Sequence, residues 1–203
     1  NYIKIENKLF LINLEEFAIK CALKYPNEID RLVEKFDYLY FNSLILEAII
    51  ISLGGKFINL GIAKDNKNSL IQKILKSKGS DILLTSGGIS IGDHDLVQSI
   101  LLELGMKIIF WKIAMRPGKP LMFGKLNNML VLCFPGNPVS TFVGSIIFLL
   151  PLINNLLNIN TKLPITEAIL AKDLKKNDER EEYMRAKLSY AKNNEIIADP
   201  YIK

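Results

Sequence analysis

Residues 81–105 read DILLTSGGISIGDHDLVQSILLELG, and this stretch decides the fold. Asp81 to Thr85 is an apolar run of strand length. Gly87-Gly88 follows at once. Val97, Ile100, Leu101 and Leu104 then recur at helical spacing up to Gly105, a helix stop. Strand, glycine turn and helix form half of a crossover unit. Glycines let backbone N–H groups approach an anion closely, and a helix N-terminus favours negative charge. Ser86 and Ser90 add hydroxyls beside that turn.

The same rhythm extends outward on both sides. Asn42 is placed to cap a helix whose Ile45, Leu46, Ile49, Ile50 and Leu53 share one face, ended by Gly54-Gly55. Lys56 to Gly61 reads as a short strand. Asn68 reads as the cap of a second helix, with Leu70, Ile71, Ile74 and Leu75 inward and Gly79 closing it. On the other side, Lys107 to Trp111 is a strand, and residues 121–125 and 129–133 flank Leu126-Asn127-Asn128 as a hairpin. Pro138 opens a long apolar helix, residues 138–158, with Asn137 as cap and a bend near Pro151. Alternating helices and strands require crossovers, which predicts an α/β three-layer sandwich around a mostly parallel sheet covered on both faces.

Residues 12–24 carry Leu14, Phe17, Ala18 and Cys21 at helical spacing, with Asn13 as a cap. Residues 25–41 show no pattern. Beyond Thr161 the chain turns to short, charged, strand-like runs. The expected organisation is an N-terminal helical segment (1–35), an α/β domain (36–160) and a partial C-terminal β domain (161–203).

The 203 residues are 49% hydrophobic and 23% charged, ordinary material for a globular core. The formal charge of +5 is spread thinly and is mostly lysine. Arginines stand only at positions 31, 116, 180 and 185, so the guanidinium forks of nucleic-acid readout are scarce, and no nucleic-acid partner is expected. Cys21 and Cys133 lie far apart in apolar contexts and read as buried free thiols of a reducing compartment. His94 is the sole histidine, which excludes His-rich metal sites. The first residues show no signal-peptide pattern, and the apolar stretch 142–153 is too short for a bilayer and holds Gly144 and Pro151. A soluble cytoplasmic protein without a membrane segment is expected.

Two further motifs share the chemistry of the glycine turn. Lys112, Arg116 and Lys119 recur just after a strand end, where Pro117 and Pro120 fix the backbone and Gly118 permits a corner. Close cations repel by roughly 1 kcal/mol per pair even at the dielectric of bulk water, so an anion between them explains the cluster best. Pro135-Gly136-Asn137-Pro138 is a second rigid turn opening a helix, with Ser140 in its first turn. Asp93 and Asp95 have a plain reading as helix caps. Asp95 follows the glycine turn at a spacing that could also turn its carboxylate into the crevice, to bind Mg²⁺, to hydrogen-bond a pterin-like amide, or both.

Together, TSGGISIGDHD (85–95), KIAMRPGKP (112–120) and PGNPVS (135–140) resemble the molybdopterin molybdenumtransferases, the molybdenum insertases to which the gephyrin E domain is related. The resemblance runs from about residue 42 to 158, and Phe41-Asn42-Ser43 is similar to the segment entering the family's first helix. It implies a molybdopterin-binding fold, and a reaction in which adenylylated molybdopterin plus molybdate gives molybdenum cofactor and AMP, with Mg²⁺. On it, Thr85, Ser86, Gly87, Gly88, Ser90 and Ser140, with Pro135, Gly136 and Asn137, match the substrate cradle. Asp95 matches an active-site carboxylate and Asp65 a further acidic position, the two expected to serve Mg²⁺. Lys112 and Arg116 match the basic positions for molybdate or phosphate, with Lys119 in the same loop; Arg116 stands where lysine is more usual.

The resemblance also implies a homodimer, and molybdopterin adenylyltransferase and molybdoenzymes as partners. The family's Ser/Thr-Gly-Asp-Glu-Leu motif, whose acidic residue it implies is catalytic, has no counterpart before Phe41, and neither has its early β subdomain. Residues 165–203 resemble the start of its C-terminal β domain, with Arg180, Tyr183 and Arg185 matching an arginine-rich strand. Segments of a longer protein are therefore expected to be missing around residues 25–41 and beyond 203. Two other readings are weighed: a molybdopterin adenylyltransferase on the same core, against which Ile89-Ser90-Ile91 and PGNPVS argue, and a non-catalytic molybdopterin-binding module.

Overall fold

The computed structural model describes residues 9–12, 38–89, 95–160, 165–175 and 178–201. In chain order the elements are β1 (Leu9–Ile12), α1 (Tyr38–Ser52), α2 (Lys67–Lys76), β2 (Ile82–Ser86), α3 (Leu96–Glu103) and β3 (Lys107–Trp111). Next come β4 (Met115–Arg116), β5 (Met122–Leu126), β6 (Met129–Phe134) and α4 (Pro138–Gly144). A π-helical segment, Ser145–Leu149, joins α4 to α5 (Leu150–Leu156), and β7 (Ile165–Leu170), β8 (Glu181–Glu182), β9 (Ala186–Tyr190) and β10 (Ile196–Pro200) complete the chain.

The central sheet has the order β2-β6-β5-β3. Strand β6 divides the core, because successive side chains of a strand face opposite ways. Its Met129, Val131 and Cys133 pack with Ile74 of α2 and Val97, Ile100 and Leu101 of α3. Its Leu132 and Phe134 pack with Leu46 and Ile49 of α1 and with Leu149 and Ile153 of the long helix. Helices thus cover both faces, and the three-layer α/β architecture holds.

Several local expectations are corrected. The sheet is mixed: β2 pairs with β6 in parallel, while β6–β5 and β5–β3 are antiparallel. The hairpin is the cause, since its turn at Asn127 (φ 54°) folds β5 back between β6 and β3. Lys56 to Gly61 joins no ladder; it runs without regular structure along a cleft whose other wall is β2. Asn66, not Asn68, caps α2, its side chain accepting from Ser69 N–H. Asn42 is not a cap, because α1 begins at Tyr38 and places Asn42 inside the helix. Within residues 1–35 the described part is a strand, β1, antiparallel to β7; the helix read at 12–24 otherwise lies outside the described residues, as does Cys21.

The long helix runs Pro138–Leu156, and by length and composition alone it could cross a membrane. Here it is a core helix, with Leu149 and Ile153 in the apolar cluster and Thr141, Ser145 and Asn154 buried. Just before Pro151, where a bend is expected, the helix passes through the π segment. The C-terminal strands form a second sheet, β1-β7-β10-β9, and β8 pairs in parallel with β4.

Candidate functional site

Three strands of the central sheet, β2, β6 and β3, point the same way, so their carboxyl ends share one rim. Each carries one of the motifs read in the sequence. The glycine turn follows β2, Pro135-Gly136-Asn137 follows β6, and the basic loop follows β3. Ligands of open α/β sheets bind at this end of the strands. Adjacent strands lie about 4.8 Å apart, so the glycine turn stands one spacing from the second turn and roughly 14 Å from Lys112.

The first two turns interlock. Gly87 N–H donates to Phe134 O at 3.0 Å. Gly87 and Gly88 both take left-handed φ, 81° and 68°, and a Cβ on Gly88 would stand 2.4 Å from Val97 Cγ2. A Cβ on Gly136 would meet Gly87 Cα at 3.6 Å, so the two turns lie side by side. Asn42, fully buried in α1, ties them together: its Nδ2 donates to Ser86 Oγ at 2.7 Å and to Gly136 O at 2.8 Å. The sequence reading gave Asn42 a cap's role and not this one; the similarity of Phe41-Asn42-Ser43 to the family's segment was the available signal.

A cleft of about 1500 Å³ opens beside β2, and Asp65, Thr85, Ser86, Gly87, Gly88 and Asp95 line it. Asp95 is the residue before α3, yet its side chain makes no capping bond. Its charge lies near Cys133. Burial pushes that thiol up to about 12, the Thr85 hydroxyl offsetting part of the rise and the Asp95 charge adding a smaller one. Cys133 is therefore an inert core thiol.

Asn137 caps α4, and its Oδ1 accepts from Val139 and Ser140 N–H at 2.9 and 3.2 Å. Those first-turn donors are thus occupied, which narrows the anion cradle expected there to the turn itself. Ser140 is buried. Ser90 lies outside the described residues, with Asp93 and His94.

The cations stand apart from the cleft. Lys112, at φ 61°, lays its Nζ over the Trp111 ring, 3.9 Å from the centroid. Arg116 is exposed, joined to Pro117 by a cis peptide bond, with Nε 4.0 Å from Glu182 Oε1. Lys119 is half-buried and its carbonyl accepts from Ile113 N–H at 3.0 Å. The C-terminal segment grips this loop: Glu181 N–H donates to Ala114 O at 2.9 Å and Tyr183 N–H to Arg116 O at 2.7 Å. The Tyr183 hydroxyl, half-buried and donating to Glu181, is pushed up to about 12, mainly by desolvation. Asp178 is held down at about 2 by its bonds to Arg180.

The family described as "Probable molybdopterin binding domain" matches residues 41–155. The chain belongs to that family. It is also similar to the molybdopterin molybdenumtransferases of Haemophilus influenzae, 35% identical over 71% of this chain and 36% of the relative. The one from Bacillus subtilis is 32% identical over 78% of this chain and 37% of the relative. Gephyrin of Dictyostelium discoideum is 36% identical over 66% of this chain and 22% of that protein. Among solved structures, a molybdopterin biosynthesis MoeA protein from Pyrococcus horikoshii superposes with a TM-score of 0.65 at 28% identity, covering 80% of this chain and 38% of that one. The chain thus spans little more than a third of the length of these two bacterial relatives. The molybdopterin-binding domain accounts for the rim, since all three motifs fall inside the matched residues.

Proposed function

We propose that this chain acts in molybdenum-cofactor biosynthesis as the substrate-holding part of a molybdopterin molybdenumtransferase, which inserts molybdate into adenylylated molybdopterin and releases AMP. The observation that carries this reading is the shared rim of β2, β6 and β3, from which two backbone turns and a cationic loop all emerge. The backbone N–H groups of Gly88 and Asn137 and the hydroxyls of Thr85, Ser86 and Ser140 hold the pterin phosphate, while Gly87, Pro135 and Gly136 shape the two turns around it. Lys112 and Arg116, with Lys119 beside them, face molybdate and stabilise phosphate charge as the phosphoanhydride bond breaks. In that role Lys112 leaves its seat over Trp111.

Among the described residues no group of three or more metal-ligand side chains exists. Mg²⁺ commonly uses one or two carboxylates and completes its shell with substrate phosphates and water. Asp65 and Asp95, both on the cleft wall, suit a Mg²⁺ that arrives with its phosphate. When bound, the ion neutralises phosphate charge next to the leaving AMP. The reading extends to a cytoplasmic homodimer with no nucleic-acid or membrane partner, fed by a molybdopterin adenylyltransferase and serving molybdoenzymes.

One observation favours a second reading, a non-catalytic molybdopterin-binding module: Lys112, Arg116 and Lys119 line none of the cleft. Incubation with adenylylated molybdopterin, Mg²⁺ and molybdate separates the two. AMP release with metal incorporation supports the transferase, and binding without turnover supports the module. Adenylylation of free molybdopterin from ATP would instead reveal an adenylyltransferase. In the transferase, Asp95→Ala and Lys112→Ala each abolish metal insertion while circular dichroism stays that of the parent. Wild-type turnover in both variants would remove these residues from the site.

A further inference from the structure

We propose that Asn42 is a positioning residue that sets the direction of the cradle's donors, aiming the Ser86 hydroxyl and the Asn137 N–H at the phosphate end of the pterin substrate. The inference rests on the cradle reading above and assigns its geometry to a residue outside all three motifs.

An amide Nδ2 carries two protons, and Asn42 uses both, one on Ser86 Oγ and one on Gly136 O. Gly136 O can only accept, so the network fixes which end of the Asn42 amide faces the turns. A serine hydroxyl has a single proton. Because Ser86 Oγ accepts from Asn42, that proton is left to donate elsewhere, and Ser86 lines the cleft. The second bond acts through the peptide plane. The Gly136–Asn137 peptide is trans, so its carbonyl and the Asn137 N–H point in opposite directions. With the carbonyl turned inward to a fully buried Asn42, the Asn137 N–H is turned away from the core. One side chain thereby orients two donors on two turns, from a seat in the second turn of α1. Its Oδ1 is buried and accepts no hydrogen bond among the described residues, so the amide acts here through its donors.

Asn42→Asp keeps the shape and removes the donors. A carboxylate would draw the Ser86 proton inward and repel Gly136 O. The test titrates the full chain, Asn42→Asp, Ser86→Ala and the double variant with molybdopterin and with its dephosphorylated form, by calorimetry, beside thermal unfolding. Asn42→Ser replaces Asn42→Asp where the buried carboxylate unfolds the chain. The expected result is about tenfold weaker molybdopterin binding, near 1.4 kcal/mol, with affinity for the dephosphorylated form unchanged. The double variant should lose less than the sum of the two singles, because Asn42 acts partly through Ser86. A merely structural role would weaken both ligands together, and that outcome overturns the proposal. So does a folded Asn42 variant that binds as the parent does while Ser86→Ala is weakened, which leaves the cradle itself standing. Parent-like binding by Ser86→Ala as well would instead sink the cradle reading beneath it.

Discussion

The two turns on β2 and β6 are held from below by buried structure, whereas the basic loop after β3 occupies the far edge of the sheet. In the first region every constraint is backbone or buried: Gly87 N–H on Phe134 O, two left-handed glycines, and Asn42 between the turns. In the second, Lys112 and Arg116 carry their charges on exposed long side chains, one resting on an aromatic ring and the other facing a carboxylate. The contrast separates two tasks. Fixed dipoles can be preorganised for an anion at no cost on binding, while flexible cations must be ordered when it arrives. Such a site takes its shape from the turns and its charge from the loop.

The rigid half of this contrast is tested most sharply by disturbing one glycine in each of its turns. Gly88→Ala forces a Cβ to within 2.4 Å of Val97 Cγ2 at a φ of 68°. We expect a loss of about 2–3 kcal/mol, from left-handed strain plus the displaced valine. Gly136→Ala meets only an ordinary contact, so its unfolding free energy should stay within about 0.5 kcal/mol of the parent. Denaturant titration of the pair decides it. Equal losses would mean that the turns are not gripped as described.

What the sequence made legible follows the range of the forces involved. The end of α3 is local: Gly105 takes φ 92°, its N–H reaches Leu102 O, and Met106 N–H reaches Leu101 O, a complete glycine-dependent stop. The hairpin is local too, with Leu126 opposite Met129 across two residues. Asn42 was misread because an Asn near a helix start is so often a cap, while its true partners lie 44 and 94 residues away. Lys56 to Gly61 was misread because a strand needs a neighbour, and apolar pattern alone does not supply one. The same limit holds for the site. The motifs and their anion chemistry could be read directly, but that the cations sit two strands beyond the second turn follows only from the order β2-β6-β5-β3.

A second prediction sharpens the rigid half through pH. Cys133 is opposite Thr85 in the β2–β6 pairing and fully buried. Its folded pKa, about 12, stands above the ordinary thiol value of 9.0. The native state therefore keeps a proton that the unfolded chain gives up. This contribution is complete below pH 9 and is lost as pH rises from 9 towards 12. The slope attributable to Cys133 approaches, at most, about 1.4 kcal/mol per pH unit. Urea unfolding of the parent and of Cys133→Ala between pH 8 and pH 11, with slopes compared rather than absolute stabilities, measures it. Identical slopes would place the thiol in a wetter setting than the sheet interior.

The smallest effect belongs to the exposed half. Glu182 Oε1 stands 4.0 Å from Arg116 Nε, with both side chains partly solvated. Such a pair holds little energy, and salt screens it. Glu182→Gln leaves the backbone pairing of β8 with β4 in place, because that pairing uses main-chain groups around Met115 and Arg116. Removing the carboxylate frees the guanidinium for an incoming oxyanion and makes the loop more positive. Molybdate affinity should then rise by a factor of about two to three at low ionic strength, an effect of well under 1 kcal/mol, and the gain should fade towards 0.5 M salt. A tenfold gain, or one insensitive to salt, would show Arg116 to be locked in place by Glu182, and the loop to be as preorganised as the turns it is contrasted with.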